Sequence, residues 1–307
     1  DNVGVLTDGN VALYAKNGKQ LLSYTHGMTD PIVKAAGRRF LLYDRGGTKL
    51  VVRMRDKVLF EKEFDYKIIS ANISSDGWIT AVTAAQRYAS QLHVWNSAYD
   101  EEIFTWSSSG EYIICSAADS GSKTVAAATL TANASGQMVT TVHIFTTEAA
   151  MELGKKDFSG EAAVSLEYNS SGNVKIICDS MAAVIDRSGN VLGRFDFDRK
   201  LISCVNAHGT SGMALVFDRY TEARATDVTF IGSRGEQVKT VSVSGKFLCA
   251  NGNSSHAAVY CDGTATVFDY SGNKTAELTS EQDALLILLT KESVFAVTRD
   301  EICEVKK

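Results

Sequence analysis

The chain has one proline, Pro31, in 307 residues, and no Pro-, Ser- or charge-rich stretch that reads as a linker. No second domain is therefore visible, and residues 1–307 read as one domain. Basic residues are neither abundant nor clustered: 31 Lys and Arg stand against 36 Asp and Glu, for a net charge of −5. A phosphate-binding surface needs concentrated positive charge, so a nucleic-acid partner is excluded. No apolar run approaches the roughly 18 residues that span a bilayer, and no segment keeps a helical period over ten residues. The six cysteines form no C-x-x-C pair and none has a histidine at zinc spacing. Most lie in apolar runs such as Ile113-Ile114-Cys115, which reads as small buried hydrophobes; three disulfides are the alternative.

What fills the chain instead is short apolar runs of four to seven residues, broken by Gly, Asn, Asp and Ser. That is the pattern of half-buried strands. One strand type recurs eight times: Val11–Tyr14, Leu50–Arg53, Leu92–Trp95, Val142–Phe145, Ala182–Ile185, Asp227–Phe230, Ala265–Phe268 and Ile302–Val305. The step between copies averages about 42 residues, the period of a propeller blade. Turn dipeptides follow it, as at Asn17-Gly18, Ser188-Gly189 and Ser271-Gly272, and each leads into a further strand. Two strands precede it, so each unit reads A-B-C-D with the recurring strand as C.

The expected fold is an all-β propeller of four-stranded antiparallel blades, eight by the count of C strands, with seven as the alternative. The first unit shows only B, C and D strands, and the last only A, B and C. A strand pair upstream of Asp1, after a membrane anchor, would complete the set.

The C strand His93-Val94-Trp95-Asn96 resembles the Trp-Asp strand of WD-repeat proteins. The run His26–Pro31, followed by Ala35-Ala36-Gly37-Arg38-Arg39-Phe40-Leu41-Leu42-Tyr43-Asp44-Arg45-Gly46-Gly47, is similar to a bacterial propeller family of unknown function. Members of that family resemble membrane-anchored proteins of Gram-positive bacteria with an extracytoplasmic propeller. The resemblance implies fold and an extracytoplasmic, membrane-tethered location, with a cytoplasmic one as the alternative. It implies no activity and no site residues.

The Gly-Lys-x-x-Trp docking repeat of quinoprotein propellers is missing its Trp at Gly18-Lys19-Gln20-Leu21, and Ser74-Ser75-Asp76-Gly77-Trp78 has sialidase-like residues at the wrong spacing. No G-x-S-x-G elbow and no helix-opening Gly-rich loop occurs. The five histidines are isolated; His93 and His143 share one C-strand position in adjacent units, which suggests packing rather than a metal site. No metal, cofactor or catalytic residue is expected.

The remaining signal is in the loops. Several B–C loops read as long and carry Arg and Tyr, the types enriched at binding hot spots. They supply the candidate ligand-binding residues Tyr43, Asp44, Arg45, Arg87, Tyr88, Asp218, Arg219 and Tyr220, joined on the same face by His26 of a D–A loop. A bland reading of the first loop pairs Asp44 with Arg45. The expectation is a monomeric, non-enzymatic binding or scaffolding module for a protein, peptide or cell-wall polymer. The alternative is a carbohydrate-active hydrolase or lyase with acids at the central channel.

Overall fold

The structure is a computed structural model that describes residues 2–305 except 16, 199, 207, 219–224, 280–283, 291–292 and 299–300. The described residues form strands, turns and loops with no helix. The strands make eight antiparallel sheets in chain order, the blades of an eight-bladed β-propeller, so the seven-blade alternative is set aside. Six sheets have four strands; the first and last have three among the described residues, B-C-D and A-B-C respectively.

The chain divides into two compact units, 1–166 with 187–190, and 167–186 with 191–307. The first unit holds blade 1 (B Asn2–Leu6, C Asn10–Ala15, D Gln20–Thr25) and blade 2 (A Pro31–Ala36, B Arg39–Asp44, C Lys49–Met54, D Lys57–Glu63). It also holds blade 3 (A Ile68–Ile73, B Ile79–Thr83, C Ser90–Trp95, D Glu102–Ser108) and blade 4 (A Tyr112–Asp119, B Thr124–Ala132, C Met138–Thr146, D Met151–Ser159). Blade 5 (A Ala163–Tyr168, B Val174–Cys178, C Met181–Ile185, D Val191–Asp196) straddles the division. The second unit continues with blade 6 (A Leu201–Val205, B Met213–Asp218, C Ala225–Ile231, D Gln237–Ser244) and blade 7 (A Phe247–Gly252, B His256–Cys261, C Thr264–Asp269, D Lys274–Thr279). Blade 8 ends it (A Leu286–Leu289, B Val294–Val297, C Ile302–Val305).

The B and C strands are apolar runs because both of their faces are covered. In blade 5 all ten residues of Val174–Cys178 and Met181–Ile185 are buried. D strands are mostly exposed, as in Lys57–Glu63. The cores lie between neighbouring blades. Leu41, Leu50 and Val52 of blade 2 pack with Ala71, Ile79 and Trp95 of blade 3, and Ala214, Val228 and Phe230 of blade 6 pack with Ala257, Val259 and Phe268 of blade 7. Each Leu, Ile, Val or Phe side chain buried this way contributes roughly 1.5–3 kcal/mol, and each alanine methyl less.

One irregularity recurs. All seven C–D hairpins among the described residues carry a β-bulge near the end of C, at Leu13/Tyr14, Val52/Arg53, Val94/Trp95, Ile144/Phe145, Val184/Ile185, Phe230/Ile231 and Val267/Phe268. Aligned on this bulge, the sixth recurring strand ends at Ile231, one residue beyond the expected Phe230. Many turns share one build: in Asp269–Asn273 the Gly272 N–H donates to the Asp269 carbonyl, the Asp269 N–H to the Asn273 carbonyl, and Gly272 has φ 75°. Asn133–Gln137 and Asn169–Asn173 repeat this bonding. This is a type I turn closed by a residue in the left-handed region, which glycine fills without strain.

The cysteines are all free thiols. Only Cys178 and Cys261 are buried; the other four are half-buried, so the reading of small buried hydrophobes holds for two of the six.

Candidate functional site

Alternation of strand direction puts D–A and B–C loops on one face of each unit, and A–B and C–D loops on the other. The expected enlargement of B–C loops holds within blades 2, 4 and 6, where four, five and six residues (45–48, 133–137, 219–224) stand against C–D connections of two, four and five (55–56, 147–150, 232–236), but it is not general. Blade 3 has six residues in its B–C loop (84–89) and six in its C–D connection (96–101). Blades 5 and 7 have two-residue B–C loops (179–180, 262–263) but C–D connections of five and four residues (186–190, 270–273). Loop length therefore singles out no face, and the site has to be read from side chains.

Most of the residues expected to bind in blade 2 are occupied within the fold. His26 is buried; its Nδ1 accepts the Met28 N–H at 3.0 Å and its Nε2 lies 3.0 Å from the Thr7 carbonyl. Tyr43 is buried in the core between blades 2 and 3, and that burial holds its phenol above the usual value. Asp44 Oδ1 accepts the backbone N–H groups of Thr29 and Asp30 at 3.1 and 2.8 Å. Arg45 Nε donates to Asp30 Oδ2 at 2.8 Å, so the Asp44–Arg45 pair is corrected to Arg45–Asp30. The backbone of the same loop is bonded on both sides: Arg45 N–H to the Asp30 carbonyl, Gly46 N–H to the Ile68 carbonyl, Ile68 N–H to the Gly47 carbonyl. This loop is a staple that fixes blade 2 against the start of blade 3. The candidates Arg219 and Tyr220 lie outside the described residues, as does the side chain of Asp218, whose backbone ends the B strand of blade 6 opposite Thr226.

Arg87 and Tyr88 differ from these. Both are exposed in the B–C loop of blade 3, and neither has a bonding partner among the described residues. Two further tyrosines stand close by, and sequence reasoning missed both. Tyr66 lies in the D–A loop entering blade 3, where its hydroxyl is 3.4 Å from Gln86 Oε1. Tyr112 opens the A strand of blade 4, next to Ile113, whose N–H donates to Ser90 Oγ at 2.8 Å. Ala84 N–H to the Lys67 carbonyl and Ala89 N–H to the Ser108 carbonyl tie the B–C loop down at both ends. Tyr66, Tyr88 and Tyr112 are 39%, 48% and 62% exposed, and they are the three exposed tyrosines among the described residues. All three stand on one face around one blade.

A hydrogen-bonded network of histidine and glutamate adjoins this patch. His143 Nε2 is 3.0 Å from Glu111 Oε2 and its Nδ1 is 2.7 Å from Glu152 Oε1. Thr129 Oγ1 also donates to Glu111 Oε2, at 2.5 Å, and Trp106 packs on the imidazole with ring centroids 4.9 Å apart. Burial pushes the Glu111 carboxyl up, but the Thr129 and His143 hydrogen bonds outweigh it and hold it below the usual range. Glu111 directly precedes Tyr112, so the network anchors the loop that presents Tyr112. Blade 3 repeats the arrangement: His93 Nδ1 is 2.6 Å from Glu102 Oε1. In both blades the glutamate follows the histidine by nine residues, a spacing legible in the sequence. Beyond the expected packing, His93 and His143 each share a hydrogen bond with a glutamate across the C–D bulge.

The opposite face of the second unit has a polar groove of about 480 Å³ between blades 6 and 7. Ser211, Ser233, Ser254, Ser255 and Ser271 line it together with Glu236 and Asp269. Both acids are bound into turns, Glu236 by the Arg234 N–H and Asp269 by the N–H groups of Ser271 and Asn273. Beside it, Lys175 is fully buried and donates to Thr210 Oγ1; burial lowers its amine to about 8, against a partial offset from Glu167.

Residues 1–306 match a family described as a family of unknown function, DUF5711. The chain belongs to that family. No curated protein matches the sequence. Among solved structures, the DUF5711 chain is similar to the C-terminal WD40 domain of Sif2, with 13% identity, TM-score 0.62, and coverage of 96% of this chain and 88% of that one. It is similar to Sqt1 of Saccharomyces cerevisiae (12%, TM-score 0.65, coverage 100% and 92%) and to BamB of Moraxella catarrhalis (11%, TM-score 0.54, coverage 99% and 93%). At these identities the likeness is one of fold, and it extends over nearly the whole DUF5711 chain.

Proposed function

We propose that this chain is a non-enzymatic binding module that holds a partner protein on the D–A/B–C face around blade 3. The observation that carries the reading is the gathering of the exposed tyrosines Tyr66, Tyr88 and Tyr112 around the exposed Arg87. Tyrosine and arginine dominate binding hot spots, because each buries a large amphipathic surface while keeping a polar group for a partner. The loops that carry them are stitched together by backbone bonds, so little ordering entropy is lost on binding. In this reading the propeller works outside the membrane and is tethered to it, as the resemblance of the 26–47 run implies.

The test compares the wild type with the triple variant Tyr66→Ala/Tyr88→Ala/Tyr112→Ala as bait for a partner retained by the wild type. Partner retention is expected to vanish while the thermal midpoint stays within about 2 °C, because exposed sites contribute little to stability. Full retention by the triple variant overturns the reading.

A further inference from the structure

We infer that the A–B/C–D end of blades 1 and 2 holds a site for a phosphate group, free or carried by a lipid, with Arg53 at its base. The site is independent of the tyrosine face. In six of the seven C–D hairpins the second residue of the bulge step is apolar or aromatic: Tyr14, Trp95, Phe145, Ile185, Ile231 and Phe268. In blade 2 it is Arg53, which is only 7% exposed. The fold asks for an apolar side chain there, so the charge is not a requirement of the blade. Arg53 Nη2 donates to the Asp56 carbonyl at 3.1 Å, and the guanidinium carbon lies 4.3 Å from the centre of the Tyr24 ring of blade 1. Nε is buried with no partner, and Nη1 reaches the surface with none among the described residues. No described carboxylate forms an ion pair with it. A carbonyl and a ring face leave a buried guanidinium short of one counter-charge, and such a charge is costly to keep unpaired.

The surroundings do not supply the counter-charge. Blades 1 and 2 share one core, through Val11 and Leu22 against Phe40 and Val51, which sets their turns side by side. Arg38 lies in the A–B turn of blade 2, Arg55 in its C–D turn with Lys57 next, and Lys19 ends the C–D turn of blade 1; all four are exposed. Phe40 pairs with Arg53, so Arg38 and Arg55 each stand two residues beyond that pair at the same end of the sheet. Asp56 is the one acid in these turns among the described residues. Arg39 turns toward blade 3, where its Nη1 donates to the Asp76 carbonyl at 2.5 Å, and neither belongs to the cluster. Five cations, Arg53 included, thus face one carboxylate in a chain whose net charge is −5. They come from three stretches of sequence that the hairpins gather. A doubly charged phosphate offsets more of this excess than a single carboxylate does. It meets Arg53 at Nη1, with Arg38 and Arg55 reaching it from the two turns.

The experiment titrates inorganic phosphate into the whole chain by calorimetry, at constant ionic strength set with sodium chloride, with acetate as the carboxylate control. Flotation with vesicles of phosphatidylglycerol and phosphatidylcholine in equal parts, against phosphatidylcholine alone, is the second arm. The wild type is expected to take up one phosphate per chain, at least tenfold tighter than acetate. Arg53→Met restores the apolar side chain of the other blades. It is expected to lose at least tenfold in phosphate affinity while its thermal midpoint in chloride stays level or rises. Arg38→Gln/Arg55→Gln changes exposed side chains alone and is expected to lose at least threefold, which keeps the test decisive if Arg53→Met does not fold. Binding to phosphatidylglycerol vesicles that either variant weakens, without uptake of free phosphate, places the phosphate on a lipid and supports the site. Acetate bound as tightly as phosphate overturns the inference. So does phosphate or vesicle binding that neither variant weakens, and so does the failure of both probes to bind.

Discussion

Arg45 reaches across to Asp30 in the loop before its own blade, while its neighbour Asp44 turns to the backbone amides of that same loop. Two adjacent charged residues thus hold one loop in different ways. The Arg45–Asp30 pair is open to water, and such pairs contribute little. Asp44 supplies charge-assisted bonds to two N–H groups, and deleting it leaves both without a partner.

Asp44→Ala is therefore expected to lower unfolding stability by about 1–3 kcal/mol, whereas Arg45→Ala should leave it nearly unchanged. Urea titration of the two variants checks this. Equal effects would show that the staple does not depend on Asp44.

Gly235 and Gly193 lie backbone to backbone where the C–D turn of blade 6 crosses the D strand of blade 5. A Cβ on either would press into main-chain atoms of the other turn or strand, and Gly235 has φ 84°. Gly235→Ala combines an overpacked contact with a left-handed backbone, for a loss of about 2–4 kcal/mol. Gly110, where added volume meets nothing within 4 Å, is the control, and Gly110→Ala should be close to neutral.

Glu111 is held below the usual glutamate range despite its burial. A depressed carboxyl adds stability that is present above its unfolded pKa and lost as pH falls through the folded one. The wild type should therefore lose stability between about pH 4.5 and the lower folded value. In His143→Ala one of the bonds that lowers Glu111 is gone, so an NMR titration of its carboxyl should move upward. An unmoved titration would remove His143 as the anchor of the loop before Tyr112.

Lys175 gives the opposite sign at the alkaline end. Its amine is lowered to about 8 by burial, so between about pH 8 and the ordinary lysine value the unfolded chain binds more protons than the folded one. Stability should rise with pH across that window, by at most roughly 1.4 kcal/mol per pH unit. Lys175→Met keeps the aliphatic volume and removes the charge, and is expected to flatten the rise. Denaturant midpoints at pH 7 and pH 9.5 distinguish the two.

The blade pattern was legible in sequence because B and C strands are covered on both faces and so write continuous apolar runs at a fixed period. The one-residue displacement at blade 6 was not, since Phe230 and Ile231 are both apolar and only pairing with the D strand locates the bulge. Residue type alone also failed at the site. Tyr43 and Tyr88 both occupy or border B–C loops, yet one is core and the other is exposed. Asp44 and Arg45 looked available until the loop preceding their blade was seen to occupy them. Tyr66 stands in a D–A connection and Tyr112 just after one, and nothing in the length of either connection marked them out. The His93–Glu102 and His143–Glu152 pairs were present as a repeated nine-residue spacing that hydrophobic patterning does not register.

The central claim is that partners meet the D–A/B–C face around blade 3. The most direct measurement installs a photo-crosslinking phenylalanine at position 88, and at position 255 in the groove on the other face of the second unit. The account predicts a saturable adduct from position 88, competed by the unmodified wild type but not by Tyr66→Ala/Tyr88→Ala/Tyr112→Ala, with no such adduct from position 255. An adduct confined to position 255, or one at position 88 that the triple variant competes as well as the wild type, would contradict it.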